Sequence, residues 1–281
     1  MPAAPKPIRV PDLLAMKRRG EKITMLTAYD ATMAYLLDAA GIDVLLVGDS
    51  LGMVVMGYET TIPVTLDMVL HHCQAVVRGT RRALVVADMP FLTYQLTEKE
   101  TLRNAGRLIQ EGGASAVKIE GGRAILESVQ LLRDAGIPVM GHLGLTPQSV
   151  HRIGGYRPQA QTREAADQLI EDAIALESGG AFAIVLESIP ADLAGRVTES
   201  ITIPTVGIGA GPACDGQVLV SYDMLGLFDR FVPSFVKQYA RLGETVRDAA
   251  SAFADDVRSG RFPESEGEKP AAPVRTAQQK P

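Results

Sequence analysis

Eight short runs rich in Val, Ile and Leu punctuate this chain, and their spacing constrains its fold more than any other feature. They cover residues 23–28, 44–47, 83–87, 116–119, 138–141, 182–186, 204–208 and 217–220. Continuous apolar runs suit strands buried on both faces, as in a parallel sheet. Helical patterns over 32–40, 98–111, 123–135 and 163–178 lie between them, each followed by glycine. A glycine past the last turn takes the left-handed conformation that stops a helix. Strand–helix repeats define an α/β protein, and eight of them in about 250 residues predict a (β/α)8 TIM-type barrel. Additional helices are predicted over 12–19 and 233–259, the second long and amphipathic, to close the barrel bottom or meet another subunit. One unit fits poorly. Only eight residues separate Ile208 from Gln217, whereas a parallel crossover usually takes about a dozen. The seventh helix is therefore vestigial or one strand is misplaced.

The composition narrows the function. Lys and Arg number 28 against 33 Asp and Glu, a net charge of −5, which argues against nucleic-acid binding. No eighteen-residue stretch is apolar and uncharged, so a membrane span is not expected. The first residues lack the apolar segment of a secretory signal. The two cysteines, Cys73 and Cys214, are too few for a disulfide scaffold, and a cytoplasmic location fits. Residues 1–10 are read as a flexible N-terminus, 11–262 as one catalytic domain, and 263–281 as a disordered tail poor in large apolar side chains.

Chemistry is written at the strand ends. The second run leads into Gly48-Asp49-Ser50, the third ends at Asp88, the fourth contains Lys118 and reaches Glu120, the fifth leads to His142 and the sixth ends at Glu187. In a barrel these C-terminal ends share one face, where active sites sit. Asp49, Asp88 and Glu120 offer only hard oxygen ligands, a set suited to magnesium rather than zinc. Lys118 and Glu120, two apart, share a strand face, which sets an ammonium beside the metal residues to bind a carboxylate or carbonyl oxygen. A plain Lys–Glu ion pair filling the barrel is the alternative. His142 is equally consistent with a structural and a supporting catalytic role. Glu187 follows Ala-Ile-Val-Leu, and apolar surroundings that disfavour its charge would tune it as a general base; a capping acid is the other reading. Gly207-Ile-Gly-Ala-Gly211 has the look of a phosphate-binding loop but lacks dinucleotide spacing, and it could equally permit close backbone approach.

Taken in order, Thr27-Ala-Tyr-Asp30, Val47-Gly-Asp-Ser-Leu-Gly-Met53, Val117-Lys-Ile-Glu-Gly-Gly122, Gly141-His-Leu-Gly-Leu-Thr-Pro-Gln-Ser149, Ile208-Gly-Ala-Gly211 and Asp215-Gly-Gln-Val-Leu-Val220 resemble the ketopantoate hydroxymethyltransferase family over about residues 10–262. Tyr222 departs from it, standing where many relatives carry His. The resemblance implies a barrel enzyme that transfers a one-carbon unit from 5,10-methylenetetrahydrofolate to 3-methyl-2-oxobutanoate through a Mg2+-stabilised enolate. The product would be 2-dehydropantoate, on the way to pantothenate and coenzyme A, and the assembly a homodecamer. By family pattern Asp49, Asp88 and Glu120 are metal residues, Asp49, Ser50, Asp88 and Lys118 contact the oxoacid, and Glu187 is the base. A magnesium-dependent oxoacid enzyme of the isocitrate-lyase and phosphoenolpyruvate-mutase type is the competing reading, although the Cys-rich loop usual there is missing. A non-catalytic scaffold is the other.

Overall fold

A computed structural model describes residues 6–230 and 232–263. Its strands are β1 (Ile23–Thr27), β2 (Val44–Val47), β3 (Leu84–Asp88), β4 (Ala116–Glu120), β5 (Val139–Gly144), β6 (Ala183–Glu187), β7 (Thr205–Ile208) and β8 (Gly216–Leu219). They close into a parallel barrel in chain order, sealed where Ile23–Leu26 pair with Gly216–Leu219. The strands are largely apolar because both faces are mostly enclosed, and Asp88, Lys118, Glu120, His142 and Glu187 are their ionisable exceptions. Met25, Val44, Leu46, Val86, Met140 and Val185 fill the interior, while Leu26, Leu45, Val85 and Ile184 pack outward under the helices.

The helices are α1 (Val10–Arg19), α2 (Ala31–Ala39), α3 (Leu51–Val54), α4 (Leu66–Gly79), α5 (Glu98–Gln110), α6 (Leu126–Asp134), α7 (Val150–Ile153), α8 (Arg163–Gly179), α9 (Ala191–Ser200), α10 (Ser221–Met224) and α11 (Leu242–Arg258). Asp30, Thr65, Thr97 and Thr162 cap α2, α4, α5 and α8 by accepting from exposed first-turn N–H groups, the usual remedy for those donors. Helix α1 plugs the N-terminal end of the barrel. Its Leu13 is fully buried among the interior side chains, and Lys17 Nζ donates to the carbonyls of Thr198, Ile201 and Ile203, 3.0 Å from Asp215 Oδ2.

Three expectations need adjustment. Helices α3, α4, α7, α9 and α10 are not among the helices that the sequence pattern predicts. No helix fills the seventh unit: β8 stands as expected, and residues 209–215 turn sharply through Gly209 and Gly211, at φ of 60° and 74°. The long C-terminal helix begins at Leu242, not Pro233. The N–H groups of Tyr239, Leu242 and Gly243 donate instead to the carbonyls of Met224, Leu225 and Gly226, so those backbone donors are not free for a continuous helix. Of the N-terminal stretch 1–10, residues 1–5 lie outside the described residues, while Ile8 N–H donates to Arg82 O. Of the tail 263–281, only Pro263 is described. No helix among the described residues is long and apolar enough to cross a membrane.

Candidate active site

All seven site residues expected from the sequence line one cavity of about 320 Å³ at the C-terminal mouth of the barrel. Asp88 and Glu187 are the last residues of β3 and β6, Lys118 and Glu120 lie within β4, and His142 lies within β5. Asp49 and Ser50 follow β2, where Asp49 N–H donates to Asp88 Oδ2 at 3.0 Å. The chain leaves β6 through Ser188, a left-handed residue with φ of 49°, whose N–H is held by Ile208 O and whose carbonyl accepts from Gln159 N–H.

The site is a buried charge cluster. Asp49, Asp88, Lys118, Glu120 and His142 are all less than a tenth exposed. Lys118 Nζ lies 3.0 Å from Asp88 Oδ1 and 3.9 Å from Glu120 Oε1, so Asp88, not the Glu120 suggested by spacing, is its closer partner. His142 bridges two acids, with Nδ1 3.2 Å from Glu120 Oε1 and Nε2 3.1 Å from Glu187 Oε2. The second contact is an ion pair rather than a directed hydrogen bond, because Nε2 is out of line.

Burial disfavours charge at every one of these groups, and neighbours decide the balance. Burial, together with the Asp88 and Glu120 charges, holds the Asp49 carboxyl well above its usual range. Burial also raises Asp88, against the opposing pull of Lys118. At Glu120 burial is outweighed by His142 and Lys118, and its pKa falls. For Lys118 burial is outweighed by Asp88, Glu120 and Asp49, which secure the ammonium. His142 is pushed up to about 9: burial and Lys118 oppose its charge, but Glu120 and Glu187 prevail. Glu187 has a protonatable neighbour, then, where its sequence context showed only apolar residues, and its side chain is 16% exposed.

Asp49, Asp88, Glu120 and Glu187 face only the Lys118 ammonium and the His142 ring, a surplus of negative charge that a divalent cation would offset. Asp88 Oδ1 is buried without a hydrogen bond from any described residue, its contact with Lys118 being close but off line. The donors are oxygens, so the set fits magnesium. Among the described residues no three His, Cys, Asp or Glu side chains form a ready-made cage, so such an ion would rely on few protein ligands, with water or a chelating ligand supplying the rest.

Several site residues escaped the sequence reading. Gln148 donates through Nε2 to Asp49 Oδ2 and Met89 O, both at 2.9 Å, and its backbone N–H donates to Glu120 Oε2. Tyr94 OH donates to Gln148 Oε1 at 2.8 Å, and Tyr29 OH shares a hydrogen bond with Ser50 Oγ. Gln148 sits in one of the recognisable stretches, which was its only signal. Asp223, Phe228 and Phe235 also line the cavity. The Gly207–Gly211 loop approaches its own chain closely: a Cβ at Gly209 would come 2.8 Å from the Phe235 ring.

Residues 7–265 match the family model described as ketopantoate hydroxymethyltransferase. The chain belongs to the ketopantoate hydroxymethyltransferase family. Curated members include the 3-methyl-2-oxobutanoate hydroxymethyltransferase of Moorella thermoacetica, 57% identical over 259 residues, 92% of this chain and 96% of that protein. That of Syntrophus aciditrophicus is 57% identical over 251 residues, 89% and 92% of the two chains. This family member is accordingly an enzyme, a hydroxymethyltransferase. Its fold is shared with a 2,3-dimethylmalate lyase of the phosphoenolpyruvate-mutase and isocitrate-lyase superfamily (TM-score 0.58, 16% identity, 93% and 91% of the chains). A phosphonopyruvate hydrolase is similar (TM-score 0.60, 14% identity, 94% and 92%). At such identity the likeness concerns the barrel alone, so the competing superfamily reading gains an architecture and no activity.

Proposed function

We propose that this enzyme transfers a hydroxymethyl group from 5,10-methylenetetrahydrofolate to 3-methyl-2-oxobutanoate, giving 2-dehydropantoate in the supply of pantothenate and coenzyme A. Its curated relatives are named for that oxoacid. The observation that carries the reading is the division of labour in the mouth: a buried acidic cluster with surplus negative charge on one side of His142, and the more open Glu187 on the other. Asp49, Asp88 and Glu120 would hold Mg2+, and the phosphonopyruvate hydrolase of the same fold was solved with magnesium and oxalate. Bound magnesium would supply Lewis-acid stabilisation for negative charge on the 2-oxo oxygen.

The chain's own groups do the rest. Lys118 and Ser50 bind the oxoacid's oxygens, with Asp49 and Asp88 bounding it from the metal side. Glu187 removes the C3 proton through a carboxylate oxygen, and the protonated His142 ring, 3.1 Å away, fixes the orientation of that carboxylate. The methylene carbon exchanges its two C–N bonds for a bond to the freed C3 and a bond to water's oxygen; the two folate nitrogens take up the protons released from C3 and from water, and tetrahydrofolate leaves. The same reading carries a homo-oligomer, a decamer in the family pattern, working in the cytoplasm, with Cys73 and Cys214 as buried free thiols.

Incubation with 3-methyl-2-oxobutanoate, methylenetetrahydrofolate and Mg2+ should yield 2-dehydropantoate by mass spectrometry, and none after chelation. Absence of product from the complete mixture sinks the reading. Asp88→Asn keeps the side chain's size but removes a charge, so it should weaken Mg2+ binding in titration calorimetry. Unchanged affinity removes Asp88 from the metal site.

A further inference from the structure

The mouth of the barrel has two unlike sides. From β2 to β6 it carries the charged cluster. From β7 round to β1 it is mostly apolar, lined by Ile208, Val218 and Val220 and, from the chain after β8, by Phe228 and Phe235. One ionisable group interrupts that wall. Asp223, in α10, lines the cavity and is only 7% exposed. Its Oδ1 is buried and accepts no hydrogen bond from any described residue. Burial alone pushes its carboxyl up to about 6, with no cation offsetting the penalty.

A buried polar atom left unpaired costs folding free energy, and in a binding cavity the missing partner is a ligand. A carboxylate accepts and cannot donate, so that ligand must present N–H or O–H groups. The oxoacid cannot do so, being an anion whose oxygens only accept. A metal ion is poorly served by one isolated carboxylate. The donor cosubstrate does meet the requirement. The pterin ring of a reduced folate presents N3–H and a 2-amino N–H side by side on one edge, a planar pair matched to two carboxylate oxygens in the way a guanidinium is. Its uncharged ring suits an apolar wall with aromatic side chains.

We infer that Asp223 is the recognition point for the pterin of the folate donor, accepting N3–H and the 2-amino N–H, while Phe228 and Phe235 bound the ring. The inference rests on the folate reading proposed above. It divides the cavity between the substrates: the oxoacid takes the β2–β6 side and the pterin takes the β7–β1 side. The transferred carbon then passes across the barrel axis.

Binding of tetrahydrofolate and of its 2-desamino-2-methyl analogue tests this by anaerobic titration calorimetry on wild type and Asp223→Asn. Wild type should bind tetrahydrofolate about 10–100-fold more tightly than the analogue, the range expected for hydrogen bonds to a charged group. Asp223→Asn should bind tetrahydrofolate more weakly by a similar factor and discriminate little between the two. Equal wild-type affinities overturn the inference, and that comparison needs no variant. Full discrimination by Asp223→Asn overturns it as well. If wild type exchanges the oxoacid's C3 hydrogen but binds no tetrahydrofolate, the folate reading itself falls and the assignment falls with it. Equal affinities remove Asp223 alone and leave that reading standing.

Discussion

At the residue scale, the proposed base separates from the metal side by its surroundings. Glu187→Gln preserves volume and cannot accept a proton, and general-base losses run to about 10²–10⁴-fold. Exchange of the oxoacid's C3 hydrogen with deuterated water, followed by NMR with Mg2+ present, isolates that step. Wild type should exchange and the variant should lose it; a wild-type rate in the variant would show that another group takes the proton. Asp223 gives a pH prediction. Its folded-state pKa of about 6 lies above the ordinary 3.8, so the folded state disfavours the charged form. That cost is absent below the ordinary value and fully present above about 6. Asp223→Asn should therefore raise Tm by about 2–4 °C at pH 8, and the gain should vanish as pH falls through 6 towards 4. A gain that persists at pH 4 would place its origin elsewhere. The strand-end acids and Lys118 were legible in the sequence because the ends of parallel barrel strands share a face. Gln148 and Asp223 were not. Each comes from a loop or short helix whose path depends on tertiary contacts; Gln148 is marked only by the stretch it sits in, and Asp223 by no neighbour along the chain.

At the element scale, two β-strand ends are locked by a missing side chain. Gly144, ending β5, has φ of 90°, and a Cβ there would come 2.3 Å from Glu187 O and 2.7 Å from Ile189. Leu145 N–H donates to that same carbonyl at 2.8 Å. Gly144→Ala combines a left-handed penalty of about 1–2 kcal/mol with overpacking of about 1–3 kcal/mol. Tm should drop by about 5–15 °C, with activity falling in the surviving fold because Glu187 is displaced; an unchanged melting curve would contradict the close approach. Seven of the strands are readable to within a residue because double burial leaves an apolar run with no competing pattern, whereas β5 runs three residues past the expected end at Gly141, through His142 to Gly144. The composition of the stretch 233–241 suits a helix, while the structure commits its Tyr239 N–H to Met224 O at the end of α10 and its Phe235 to the barrel mouth. Local sequence carries no sign of such remote hydrogen bonds.

At the scale of the whole molecule, α11 has no buried residue, and Val246, Phe253 and Val257, spaced to share one helical face, are each about half exposed. The proposed homo-oligomer would cover that face with a second copy. Phe253→Glu should shift the light-scattering mass towards smaller species while leaving the barrel's melting transition in place; an unchanged mass would free this helix from the interface. The barrel's closure carries a further consequence. Its seam joins the first strand to the last, Ile23–Leu26 against Gly216–Leu219, and nothing in between can substitute for that pair. A nascent chain emerges from the ribosome with roughly three-quarters of its length made before the closing strand exists. Until then the edge of β1 and the leading edge of the newest strand both lie open, and open apolar edges pair with other chains. Shielding of nascent chains by chaperones, and a slow rate of protein synthesis, should therefore raise the soluble yield of this enzyme more than any substitution at its active site.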